Sequence, residues 1–360
     1  MAQRVHCALP GWCSVPLLLL LLLQMTAAQR ADCPDPCIPL SQCPEMRKLL
    51  EKPTLENISA LRRATCTYET DPKVCCPSKP TTTPPSTHKT SLLPRNCGQS
   101  VYLNGVIERT VVHFDAYRWI AALGYSVIGF PGIEFLCGGS VINERYILTA
   151  AHCVHSSALA GKKLEVIRLG EWDLKSDLDC LGNVCIPQAQ DNAYEEVIIH
   201  PNYNTRVQFS DDIALIRLNK SIDLSTPWIR AVCLPPQGLD VSKFAPDHKS
   251  YIAGWGFTEN GTTSNVLLHF LLPYVSNENC NISYRGNIVD EQICFGGIKG
   301  KDSCGGDSGG PLVMSSTTGP PFLQVGLVSY GPVNCGQKDV PGVYTSVSHY
   351  RNWIEMNMRP

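Results

Sequence analysis

Ser308 stands in Gly305-Gly306-Asp307-Ser308-Gly309-Gly310-Pro311, a serine between glycines. Glycines let a chain turn sharply and let a substrate carbonyl approach backbone amides. The stretch can therefore present a hydroxyl nucleophile beside an oxyanion hole made by the N–H groups of Gly306 and Ser308. A serine hydroxyl is a poor nucleophile near neutral pH and needs a base within hydrogen-bond reach. His152, in Leu148-Thr149-Ala150-Ala151-His152-Cys153, is the candidate base. Asp211-Asp212-Ile213-Ala214-Leu215 supplies two adjacent carboxylates, either of which could fix the imidazole tautomer and stabilise its cation. Together these groups suit attack on a carbonyl carbon.

Groups so far apart in sequence must be brought together by tertiary structure. From Cys97 the chain is apolar and strand-like, and about 250 residues are enough for a substantial core. Short β-type runs recur at Leu164 to Leu169, Glu196 to Ile199, Ile213 to Leu218, Tyr251 to Ala253 and Leu323 to Val328. Turn residues separate them, which predicts an all-β barrel or sandwich. One helix is expected at the end, where Val347, Tyr350, Ile354 and Met358 form a helical stripe.

Residues 1–28 have the layout of a secretory signal peptide: Arg4 at the start, the apolar run Pro16 to Leu23, and small residues at Thr26-Ala27-Ala28. The run is short for a bilayer span, so the mature chain is expected to be secreted and extracellular. Of 18 cysteines, Cys7 and Cys13 fall in the signal, and the even remainder suggests disulfides throughout. Six of them lie between Cys33 and Cys76, and a Pro- and Thr-rich linker occupies residues 77–96. The net charge of −2 and the lack of a long basic run argue against nucleic acid or membrane as partners. Sequons at Asn57, Asn219, Asn260 and Asn281 are candidate glycan sites.

His, Asp and Ser in that chain order, each in its local motif, resemble the chymotrypsin-like serine proteases over roughly Val106 to Pro360. The resemblance implies two six-stranded antiparallel barrels with the active site in the cleft between them. It selects Asp212, directly before Ile-Ala-Leu, over Asp211, and makes His152, Asp212 and Ser308 the catalytic residues. Asp302 then sits where trypsin-like members keep the carboxylate of the primary pocket, with Gly331 and Gly342 as its small walls. A buried anion demands a cation, so cleavage after Arg, and less strongly Lys, is implied. The family also pairs Cys137 with Cys153, Cys280 with Cys294 and Cys304 with Cys335. Cys180 and Cys185 would close a local loop, which leaves Cys97 and Cys233 to hold the leader (residues 97–105) to the protease domain (residues 106–360). No cofactor is required. Glu171 and Asp173 lie where some trypsin-like enzymes begin a Ca2+ loop, with no distal carboxylate evident in the sequence.

The six-cysteine zone, residues 33–76, resembles a clip domain, the small module ahead of arthropod cascade proteases. That resemblance implies the pairs Cys33–Cys75, Cys37–Cys66 and Cys43–Cys76, one of about fifteen connectivities that six cysteines allow. An unrelated disulfide knot serving as a spacer is the alternative, and a zinc site is disfavoured because no His lies among these cysteines.

Members of the family are switched on by a cut, usually after Arg, ahead of Ile-Val-Gly-Gly. The new α-amino group then pairs with the Asp before the nucleophile, here Asp307. Counting back from Trp119 places Gly105-Val106-Ile107-Glu108-Arg109 at this junction. Gly105 replaces the basic residue, and Glu108 and Arg109 replace two glycines whose flexibility the insertion uses. A digestive protease is disfavoured by the clip module and the long linker, and two other readings follow. One is an Arg-specific protease zymogen of an extracellular cascade, such as innate immunity, activated by an enzyme of different specificity. Its partners would be other zymogens as substrates, an upstream protease and serpin inhibitors. The other is a catalytically silent homologue acting as scaffold or cofactor.

Overall fold

The computed structural model describes residues 37–51, 57, 61, 64–66, 72–76, 91–100, 110–245, 250–256, 262–299, 305–316, 319–332 and 336–360. The chain divides into two compact units, Met1–Lys89 and Thr90–Pro360. In the first, strands Ile38–Pro39 and Lys73–Val74 pair antiparallel beside a short helix, Pro44–Glu51. Disulfides Cys37–Cys66 and Cys43–Cys76 hold it. Cys75 is also disulfide-bonded, and Cys33 lies outside the described residues.

The second unit is built on two antiparallel sheets. In the first the strand order is Gln190–Asn192, Lys162–Leu169, Ile120–Val127, Phe130–Val141, Tyr146–Thr149, Ala214–Leu218 and Tyr194–Ile199. In the second it is Tyr274–Val275, Gln292–Gly296, Pro341–Ser346, Gly319–Tyr330, Pro311–Ser316, Ser250–Gly254, Leu268–Leu271 and Thr110–Val111. Seven and eight strands replace the expected six because two- and three-residue segments extend the edges. All five β-type runs read from sequence coincide with these strands, Ile213 alone lying one residue before its strand, Ala214–Leu218. The predicted terminal helix is Val347–Asn357, with Val347, Tyr350, Ile354 and the capping Met358 all buried.

Strands Tyr146–Thr149 and Ala214–Leu218 and the first six residues of Ile120–Val127 are buried at every position, because both of their faces are covered. Trp119, Leu123, Tyr125, Ile147, Leu148, Ile167 and Leu215 are all fully or almost fully buried in one core. That core continues into Tyr251, Val313, Phe322 and Leu327 of the second sheet, so the two sheets share apolar contact where they meet. A separate core of Ile252, Phe270, Phe295, Leu312, Met314 and Tyr344 fills the second sheet.

The seam between the sheets explains one glycine of the serine motif. Gly309 has φ +74, and a Cβ there would lie 2.3 Å from Thr149 Oγ1 and 2.7 Å from the Gly138 carbonyl oxygen. Both atoms belong to the first sheet. The serine turn therefore presses directly on the opposite sheet, and any side chain at Gly309 would push it away. The Gly138 N–H donates to the Ser308 carbonyl at 2.7 Å across the same contact.

The leader is stitched to this unit. Cys97 bonds Cys233, Gly98 N–H donates to the Ala231 carbonyl at 2.8 Å, and Phe322 N–H donates to the Gly98 carbonyl at 2.8 Å. Leu92 and Leu93 pack on the first core, and buried Asn143 donates to the Leu92 carbonyl at 3.2 Å. Among the described residues no helix is long and apolar enough to cross a membrane.

Candidate active site

His152 lies in the 3-10 turn Ala151–Cys153 that follows strand Tyr146–Thr149. The Cys137–Cys153 disulfide ties this turn to the neighbouring strand, closing a loop of 16 residues, which is worth about 3 kcal/mol in the loop-entropy account. Asp212 comes from the residues just before strand Ala214–Leu218, which pairs with the strand leading to His152. Sheet register therefore places imidazole and carboxylate side by side.

The Asp212 carboxylate is fully buried and completely occupied. Its Oδ2 is 2.8 Å from His152 Nδ1 and accepts from the Ser329 hydroxyl at 2.6 Å. Its Oδ1 accepts the His152 backbone N–H at 2.9 Å, and the Thr345 hydroxyl donates to the Asp212 carbonyl at 2.8 Å. Ser329 and Thr345 come from the second sheet, so both sheets fix one carboxylate. With Asp212 Oδ2 accepting from Nδ1–H, the neutral imidazole presents Nε2 as its free acceptor.

Asp211, the rival in sequence, faces elsewhere. Its carboxylate accepts from the Tyr350 hydroxyl at 2.8 Å and from Arg206 at 2.8 Å. Of the two neighbours, Asp212 alone holds the imidazole.

Ser308 is fixed through its main chain. Around it, Gly310 N–H donates to the Asp307 carbonyl at 2.9 Å and Gly309 N–H donates to the Val328 carbonyl at 2.8 Å. Gly306 has φ +102, and a Cβ there would come within 2.9 Å of Gly256 Cα, so only glycine gives the turn this shape. Buried Asp307 accepts the Gly256 N–H on Oδ1 at 2.9 Å.

Beside His152 an aromatic wall forms. The Phe209 ring meets the imidazole edge-on at 5.7 Å and stacks on Tyr330 at 5.2 Å, which in turn meets Tyr284 at 5.5 Å. These rings, with Val207, Gln208, Asn287 and Gly331, line a cleft of about 480 Å3. Gly342 is buried in the adjoining strand, paired with Phe295. Asp302, Cys304, Cys335, Gly105, Val106 and Asn260 lie outside the described residues. The remaining predicted pairs are present as Cys180–Cys185 and Cys280–Cys294. Asn219 is exposed at a strand end, whereas Asn281 spends its side-chain oxygen on the Ile288 N–H at 2.9 Å.

A second carboxylate cluster gathers the Glu171 side chain with a residue that sequence reasoning missed. Asp173 spends its own carboxylate on the Lys175 N–H at 3.1 Å. It is Asp179, eight residues beyond Glu171, that completes the group. Trp172 N–H donates to both Glu171 Oε1 at 2.8 Å and Asp179 Oδ2 at 3.1 Å. Asp179 Oδ1 is buried and has no hydrogen-bond partner among the described residues. Burial pushes the Glu171 carboxyl well above the usual carboxylate range; the Trp172 N–H works against this and the Asp179 charge adds to it. The Arg168 guanidinium, 3.4 Å from Glu171 Oε2, offsets part of the repulsion between the two carboxylates, and the orphaned Asp179 oxygen fits a hard cation as the remaining partner. The Cys180–Cys185 hairpin immediately after Asp179 fixes that side chain's approach.

Comparison with known proteins agrees with this geometry. The Trypsin family model matches residues 108–354, and the model of the regulatory CLIP domain of proteinases matches residues 34–76. The chain is 39% identical over 345 residues to Phenoloxidase-activating factor 1 of Holotrichia diomphalia, spanning 90% of this chain and 91% of that protein. It is also 39% identical over 341 residues to CLIP domain-containing serine protease B4 of Anopheles gambiae, spanning 91% and 92%. A crystal structure of the Drosophila Grass clip serine protease of the Toll pathway matches with TM-score 0.64 at 34% identity, covering 91% of this chain and 97% of that one.

Proposed function

Because this chain belongs to the trypsin family of serine proteases and carries their regulatory CLIP domain, we propose that it is a secreted zymogen whose active form cuts proteins after Arg or Lys. The observation that carries this reading is the fully satisfied Asp212 carboxylate, which holds His152 Nδ1 and leaves Nε2 to act as base. In this mechanism Ser308 Oγ attacks the scissile carbonyl carbon while His152 Nε2 takes the hydroxyl proton. The carbonyl oxygen becomes an anion held by the N–H groups of Gly306 and Ser308. The C–N bond then breaks, His152 returns the proton to the leaving amine, and water reverses the sequence to free Ser308.

Asp302 supplies the pocket anion and Gly331 and Gly342 leave room for a long cationic side chain. Its partners are then protein substrates in an extracellular cascade, other zymogens among them, with an upstream activating protease and serpins as controls. Relatives named for phenoloxidase activation and for the Toll pathway support an immune setting. We place calcium at Glu171 and Asp179, where it would neutralise the buried pair and brace the loop. No catalytic step passes through it.

Cleavage of a peptide library by the processed protein tests the reading, with Arg or Lys expected immediately before each cut. An Asp302→Ser variant is expected to lose that preference, and unchanged Arg cleavage would overturn the pocket assignment. The scaffold reading is favoured by one feature, the junction Gly105-Val106-Ile107-Glu108-Arg109, which lacks the basic residue and the paired glycines.

A further inference from the structure

The loop between Ile199 and Ala214 carries Asp212 at its end and Phe209 at the cleft. Three of its non-glycine residues adopt left-handed backbone: Asn204 at φ 59, Phe209 at φ 60 and Asp211 at φ 55. Such conformations are sterically disfavoured for residues with a Cβ. Within the loop the Phe209 N–H donates to Asn204 Oδ1 at 3.0 Å and the Asn204 N–H donates to the Ser210 carbonyl at 2.8 Å, and further restraint comes from outside it. Arg206 reaches out of the loop to the other sheet. Its Nε and Nη2 donate to Asp211 Oδ2 at 3.2 and 2.8 Å, and its Nη1 donates to Glu291 Oε1 at 2.9 Å. Glu291 directly precedes strand Gln292–Gly296 of the second sheet, and its carbonyl accepts the Ser346 N–H at 2.8 Å.

One guanidinium thus joins the residue beside Asp212 to the opposite sheet. The other groups around it agree: Tyr350 donates to Asp211 Oδ1 at 2.8 Å, His200 Nδ1 lies 3.7 Å from the same oxygen, and His349 Nε2 lies 3.8 Å from Glu291 Oε1. Gln292 Nε2 donates to the Phe209 carbonyl at 3.3 Å, so the second sheet also grips the loop at the aromatic residue itself.

We propose that Arg206 is a positioning residue that clamps this loop across the two sheets. It thereby sets the Phe209 wall against His152 and Tyr330, and so the affinity for substrate residues that run beyond the primary pocket. The inference rests on the protease reading above. A planar fork that reaches two carboxylates is what arginine supplies and lysine does not, so Arg206→Lys should restore only part of what Arg206→Ala loses.

The test compares two substrates and one measurement that needs no catalysis. Wild type, Arg206→Ala, Arg206→Lys and Glu291→Ala are assayed on an N-acetyl-arginine ester and on a peptide anilide with three residues ahead of the arginine. The Ala variant is expected to raise KM for the long substrate about tenfold with kcat within about twofold, and to leave the short ester nearly unchanged. The Lys variant should fall between. Amide exchange over residues 204–211 should quicken about tenfold or more in both Ala variants. Unchanged exchange, or equal KM losses on the two substrates, overturns the clamp. A wild-type enzyme that turns over neither substrate counts instead against the protease reading, and exchange still decides the clamp.

Discussion

Two buried carboxylate sites border strands of the same sheet, and only one is complete. Asp212 has a donor on every oxygen: a ring nitrogen, a backbone N–H and a hydroxyl. Glu171 and Asp179 share the Trp172 N–H, with the Asp173 N–H on Asp179 and the Arg168 guanidinium on Glu171 as further donors, yet Asp179 Oδ1 is buried with no hydrogen-bond partner among the described residues. Burial of an ion is costly unless donors replace the lost water. The Asp212 carboxylate is therefore satisfied by the chain's own donors, whereas the Glu171–Asp179 pair keeps one buried oxygen unsatisfied among the described residues, the feature on which the calcium proposal rests.

The sharpest way to break this contrast is to spoil the complete site. Asp212→Asn keeps the shape but favours the wrong imidazole tautomer, and kcat for an arginine substrate should fall about 10⁴-fold. A fall of tenfold or less would mean that the carboxylate does not set the tautomer. At the incomplete site, calcium at about 100 times its Kd should stabilise the fold by about 2.7 kcal/mol. Asp179→Asn should remove that response, and its Tm without calcium should equal or exceed that of wild type. An equal calcium response in both proteins would show that the cation sits elsewhere.

A third buried group sharpens the comparison because burial alone sets its charge. His269, 2% exposed and 2.9 Å from the Tyr117 hydroxyl, is pushed down from 6.5 to about 4 by desolvation. The fold therefore favours neutral His269. Its contribution is fully present above about pH 6.5 and is lost as pH falls toward 4, about 2 kcal/mol by pH 5. Denaturant unfolding at pH 7 and pH 5 should show that loss in wild type and less of it in His269→Gln. The smallest effect expected is at Ser329→Ala, which takes one of three donors from Asp212. It should cost about tenfold in kcat, the worth of one charge-assisted hydrogen bond, and leave KM nearly unchanged.

What the sequence made legible was local. Ser308 and His152 sit in contiguous motifs, whereas Asp212 was chosen over Asp211 only through the family resemblance, because the strand pairing that brings it to His152 joins segments far apart in sequence. The reason for Gly309 was hidden: its motif suggested a turn, whereas the contact that forbids a side chain is with Thr149 and Gly138 of the other sheet. Asp179 was invisible for a related cause. It stands eight residues beyond Glu171 with no periodicity linking the two, and only the folded loop turns its carboxylate onto the Trp172 and Asp173 N–H groups. Ser329, Thr345 and Arg206 act across the seam between the sheets, and no periodicity marks such partners. The extra edge strands escaped notice because segments of two or three residues carry no alternation to read.

The most direct test of the central claim is to label the secreted, processed protein with a fluorophosphonate and sequence the N-terminus of the labelled chain. The account predicts covalent label on Ser308, in a chain that begins at Val106, and none in Ser308→Ala. No label on any processed form of the wild-type protein would contradict it and leave the scaffold reading in its place.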